Sequence, residues 1–138
     1  VEFVTGAISS TSYKSMLLSQ ATSSQALIDA GAASLAAVAD KIILGDFAED
    51  PTKRPNPHLG YASLDRNGCM VLEADGKELV TTLFEIFEGN NDEDLGTGDK
   101  LDKAFGYVRF KVVSGSADLH REEGGSWKRW DSDKCAWV

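Results

Sequence analysis

The chain has 138 residues, 42% hydrophobic and 26% charged, enough for one core and typical of a folded domain rather than a disordered tail. Its net charge of −8 works against binding to a nucleic-acid backbone or an anionic membrane. Clustered basic residues could offset that charge, but Lys53-Arg54 and Lys128-Arg129 are the only adjacent basic pairs, so no nucleic-acid-binding patch is expected. No apolar run is long enough to span a bilayer, and no signal-peptide pattern opens the sequence.

Val1 to Thr5 reads as a strand already under way, and with no start methionine it reads as the product of a cut. From Ser9 to about residue 45 the chain is rich in Ala, Ser and Leu. Tyr13, Met16 and Leu17 predict a short helical turn. Leu27, Gly31, Leu35, Val38 and Ile42 then recur at helical spacing, with Ser23 or Ser24 as N-cap and Gly45 after the end. That pattern predicts a flanking helix that buries Leu27, Leu35, Val38 and Ile42 against a sheet.

Residues 46–58 form a loop holding all three prolines, Pro51, Pro55 and Pro57, which stiffen its path. Residues 59–119 read as strands. Tyr61 to Asp65 is expected to be the first, Asn67-Gly68 a tight turn into Cys69 to Ala74, and Asp75-Gly76 a second turn into Leu79 to Phe87. Tyr107 to Val113 alternates, with Val108, Phe110 and Val112 on one face and Arg109 and Lys111 on the other. Residues 120–138 read as a polar, irregular tail. The expected fold class is α+β, mostly an antiparallel meander with a flanking helix.

The acidic segment Asn90 to Gly96 departs from an EF-hand loop, because Leu95 stands at the sharp-turn glycine and Leu101 at the closing carboxylate. It reads as a solvated hairpin loop. His120 is given no role. His58 sits between a proline-framed loop and the first expected strand, so its position is fixed, as a proton donor or phosphate-binding group requires. A histidine that only satisfies loop carbonyls is the competing reading. Cys69 and Cys135 are the only cysteines. With no histidine beside them they do not build a zinc site. Cys135, in the tail with Trp127, Trp130 and Trp137, is not expected in a core. A disulfide pinning the tail fits an exported protein, and two free thiols is the other reading. One histidine cannot supply the several fixed ligands of two-metal phosphate chemistry.

Two segments carry a resemblance. Val1-Glu2-Phe3-Val4-Thr5-Gly6-Ala7-Ile8-Ser9-Ser10 resembles the strand and turn that follow the metal-binding Gly-Asp-x-His motif of alkaline phosphatase D-type (PhoD-like) metallophosphoesterases. The run from Asn56-Pro57-His58 through Leu72 resembles that family's Asn-Pro-His loop and the hairpin after it. The order matches, over roughly Val1 to Phe87. Cys69 stands where the family usually has Tyr, and Asn67 where a second Arg is common.

The resemblance implies a C-terminal portion of a larger four-layer α/β/β/α sandwich. It further implies a site for iron and calcium, in which an oxygen nucleophile attacks phosphorus in line between the metals. Substrates would be phosphomonoesters or phosphodiesters, and the location extracellular or periplasmic. The family's metal ligands lie upstream of Val1, so none is expected in this chain, and the upstream half of the same enzyme is the expected partner. His58 and Asn56 are then candidate catalytic residues, and Thr5, Ser9 and Ser10 candidate substrate-binding residues at the site edge. The alternative is a non-catalytic binding or structural module that keeps the scaffold without the metal site. A small disulfide-bonded inhibitor or effector is a third reading.

Overall fold

The computed structural model describes residues 1–4, 11–87 and 98–138. It divides into two compact units. A helical unit comprises Thr11–Asp65 with Ser132–Cys135, and a sheet unit takes in Arg66–Asp131, Ala136–Val138 and the first residues. Among the described residues the architecture is α+β: an open antiparallel sheet of six strands and a few short helices.

In the helical unit, α1 (Tyr13–Ala21) starts at Ser12, whose hydroxyl accepts from the Ser15 N–H at 3.1 Å and satisfies one of the orphan donors of a helix start. The backbone N–H of Lys14 donates to Leu64 O at 3.0 Å, and its ammonium lies 3.6 Å from Asp65 and 3.9 Å from Asp40. These contacts tie both ends of the unit to its middle.

The long helix expected from Leu27 to Ile42 is instead three short ones: α2 (Gln25–Asp29), α3 (Ala32–Ala37) and α4 (Ala39–Leu44). Ser24 is the N-cap of α2. The first break is at Gly31, whose φ of 73° is left-handed; glycine adopts that conformation at little cost, and a right-handed helix does not propagate through it. The second break is at Val38, with φ −115° and ψ 20°.

Because the helix is broken, its apolar positions no longer share a face. Leu35 is 62% exposed, Leu27 and Ile42 are exposed, and Val38 is half-buried, contrary to the expectation that all four are buried. The buried apolar residues of the three helices that replace it are Ala36 and Ala39. α1 packs on α3 and contributes buried Ala21.

The sheet unit runs β1 (Arg66–Ala74), β2 (Glu78–Phe87), α5 (Asp99–Ala104), β3 (Phe105–Val113), β4 (Leu119–Glu123), β5 (Ser126–Asp131) and β6 (Ala136–Trp137), and its strands neighbour one another in chain order. The turn from β1 to β2 is the expected one. Gly76 takes φ 81°, and the Asp75 carboxylate accepts from the N–H groups of Lys77 and Glu78 at 3.0 and 3.1 Å. Those bonds hold the Asp75 carboxyl below its ordinary value.

Two expectations at the start of the sheet are corrected. Tyr61–Asp65 is not a strand, and Asn67-Gly68 is not a turn but lies inside β1, opposite Ile86 and Glu85. Gly68 is there because the strands approach closely: a Cβ at this position would fall 1.9 Å from Phe84 O.

The period-2 pattern sorts the faces. Thr81, Leu83, Val108, Phe110 and Val112 share one face, and Thr82, Phe84, Arg109 and Lys111 the other. Phe110, at 2% exposed, centres the packed face. Its ring lies 5.9 Å from Phe3 and 6.0 Å from Trp137, which in turn is 5.1 Å from Trp130.

The expected irregular tail is therefore the last three strands, β4 to β6. Trp130 and Trp137 pair across β5 and β6 and extend the aromatic core. On the other face, Arg109 bonds Glu122 at 2.8 Å, and Lys111 lies 3.5 Å from Glu78 and 4.6 Å from the Trp127 ring. Cys135, expected outside any core, is buried with φ 47°, and its thiol donates to Ser132 O at 3.3 Å. Cys69 and Cys135 are not joined by a disulfide.

Candidate functional site

The candidate loop is built on the end of α4. Gly45 takes φ 75° and closes the helix, its N–H donating to Ile42 O at 3.1 Å. Arg54 and Pro55 lie over that end. A Cβ on Gly45 would come within 2.8 Å of Pro55 Cδ and 3.1 Å of Arg54 Cβ, so only glycine lets the loop sit so close. Arg54 pairs with Asp46 at 3.2 Å. Thr52 donates its hydroxyl and its N–H to Asp50, which lowers the Asp50 carboxyl below its ordinary value and shapes the turn at Pro51–Lys53.

Asn56 then anchors the loop. Its side-chain amide donates to Ile43 O at 3.0 Å, one of the carbonyls a helix end leaves without a partner. Its own carbonyl accepts from Leu59 N–H at 3.0 Å, closing a four-residue turn with Pro57 second and His58 third. Asn followed by Pro suits the first two positions of such a turn, and the fixed φ of proline presets it. His58 is exposed at the tip of this turn, which is held from both sides. A polar side chain in that place can meet a ligand without first ordering the backbone.

The predicted site residues are thus only partly brought together. Asn56 and His58 share one turn in the helical unit, and Cys69 lies on β1 of the sheet unit. Thr5, Ser9 and Ser10, and with them the expected approach of the Asn56–His58 turn to residues 5–10, lie outside the described residues, as does the acidic segment 90–96. Among the described residues no three His, Cys, Asp or Glu side chains converge as metal ligands. Among the same residues no helix is long and apolar enough to cross a membrane.

One group of residues escaped the reading by motifs. Cys69, Phe84 and Tyr107 lie directly opposite one another across β1, β2 and β3, and with Asp102, Phe105 and Gly106 they line a cleft of about 370 Å³. The signal for it was the period-2 register of Phe105 and Tyr107, which puts them on the face of Arg109 and Lys111. No family pattern, no curated protein and no solved structure matches this chain.

Proposed function

We propose that this chain is the C-terminal portion of an exported, metal-dependent phosphomonoesterase or phosphodiesterase, catalytically incomplete without the upstream half of the same enzyme. The observation that carries the reading is the Asn56-Pro57-His58-Leu59 turn: an exposed imidazole on a backbone pinned to α4 at Ile43. The order of the two resembling segments and the antiparallel meander support it. In this reading the sheet and helices belong to a larger four-layer sandwich, with Thr5, Ser9 and Ser10 at the site edge.

Iron and calcium would be held by ligands upstream of this chain and would supply charge stabilisation at phosphorus. His58 donates a hydrogen bond to a phosphoryl oxygen or a proton to the leaving group. Asn56 acts through the backbone, as a positioning residue.

The second reading, a binding or structural module that keeps the scaffold without the metal site, draws on the aromatic-lined cleft. The two part at turnover. The full-length polypeptide is assayed on p-nitrophenyl phosphate and its bis-ester with ferric iron and calcium, beside the 138-residue chain alone. Hydrolysis by the former and none by the latter supports the enzyme reading. Metal-dependent hydrolysis by the chain alone contradicts its incompleteness.

A further inference from the structure

The cleft on the sheet unit has a chemical character of its own. Its floor is the cross-strand row Cys69, Phe84 and Tyr107. Phe105, two residues before Tyr107 on β3, adds a third aromatic ring on the same face. α5 runs directly into β3, which brings the Asp102 carboxylate to the rim. Tyr107 is 66% exposed and Asp102 is exposed, so the wall is open to solvent.

Three aromatic rings and one carboxylate favour a cation. Each ring face is electron-rich and attracts a positive charge by about 0.5–1 kcal/mol at an exposed site. The carboxylate adds charge complementarity, and the net charge of −8 raises the local concentration of cations. A neutral aromatic guest would cover the Asp102 carboxylate without pairing it.

The lining also distinguishes among cations. Apart from Asp102 and the Tyr107 hydroxyl, its side chains offer no strong acceptor, so an ammonium with several N–H groups would lose hydration that the cleft does not replace. A methylated ammonium has few or no N–H groups to satisfy and is weakly hydrated. Its methyl groups bury apolar surface against Phe84 and Phe105.

We propose that this cleft binds a quaternary ammonium group, with Phe84, Phe105 and Tyr107 against its methyl groups and Asp102 balancing its charge. The site stands independently of the phosphoesterase reading, because it is defined by binding alone.

The test titrates the full chain by calorimetry with choline and with its neutral isostere 3,3-dimethylbutan-1-ol. Choline is expected to bind about tenfold more tightly, the difference made by the charge. Asp102→Asn and Tyr107→Leu, both at exposed positions that leave folding intact, should each weaken choline severalfold, while Tyr107→Phe should retain it. Equal binding of the two probes overturns the proposal. So does choline binding unchanged by Tyr107→Leu, or no choline binding at tens of millimolar.

Discussion

The Asn56 side-chain amide donates to Ile43 O at 3.0 Å, across thirteen positions of sequence, and this one bond joins the proline-framed loop to the last turn of α4. It separates the roles of two neighbours. Asn56 spends a donor on the scaffold, and His58 stands exposed at the turn it stabilises. Asn56→Ala should therefore cost about 1 kcal/mol of stability, the usual net worth of such a bond. His58→Ala should leave stability within about 0.5 kcal/mol, as for an exposed residue without a structural task. Urea unfolding of the two variants checks the pair. A large loss in His58→Ala would mark the imidazole as a structural group.

Gly68 and Gly106 flank Glu85 across the sheet, but they respond differently to a methyl group. At Gly68 a Cβ would meet Phe84 O at 1.9 Å, whereas at Gly106 nothing lies within 4 Å. Gly68→Ala should force β1 from β2 and cost about 3 kcal/mol or more. Gly106→Ala should be neutral or stabilise by a few tenths of a kcal/mol. Thermal melts of both variants decide it, and a Gly68→Ala protein that melts with the wild type would refute the strand placement of Asn67-Gly68.

Core position and exposed position also separate Phe110 from Leu35. Phe110→Ala removes the ring that Phe3 and Trp137 pack against, and should cost about 3–5 kcal/mol. Leu35→Ala in the 138-residue chain should change stability by less than about 0.5 kcal/mol. In the full-length polypeptide the same Leu35 variant should cost about 2 kcal/mol or more if the upstream half covers that surface. Unfolding curves on both backgrounds measure the difference, and a near-zero cost in both would deny Leu35 any partner.

Asp75 makes the β1–β2 turn sensitive to acid. Its folded carboxyl titrates below its ordinary value because the N–H groups of Lys77 and Glu78 bond to the charged form. A lowered folded value means that the stabilisation is present above the unfolded value and is lost as pH falls through the folded one. Asp75→Asn keeps an acceptor oxygen but does not titrate. The melting temperature of the wild type should thus fall towards that of Asp75→Asn as pH drops below about 4, the ordinary carboxylate range. Parallel profiles for the two proteins at all pH values would show that the turn does not respond to this proton.

Parts of this structure were legible in the sequence for identifiable reasons. The alternation from Leu79 to Ile86 and from Tyr107 to Val113 is long enough to fix both faces, and the register follows it residue for residue. Asp75-Gly76 carries its own turn chemistry. Gly31 and Gly68 misled in opposite directions: one fits a helical spacing but breaks the helix, and the other completes an Asn-Gly pair but sits in a strand. Glycine permits either state, and tertiary packing chooses. β4 to β6 are only two to six residues long, too short for a period to stand out among charges and tryptophans. At the candidate site the proline frame around His58 was legible, but the exposure of its ring was not. The Asn56–Ile43 bond was not, because no local pattern pairs residues thirteen apart.

The role of His58 in catalysis is measured by hydrolysis of bis-p-nitrophenyl phosphate by the full-length polypeptide with ferric iron and calcium, comparing wild type with His58→Ala and melting each sample alongside. The wild type should turn over the ester, His58→Ala should be slower on the order of 10²-fold, and both should melt at the same temperature. No turnover by the folded wild type, or equal turnover per folded molecule in the two proteins, would contradict that role.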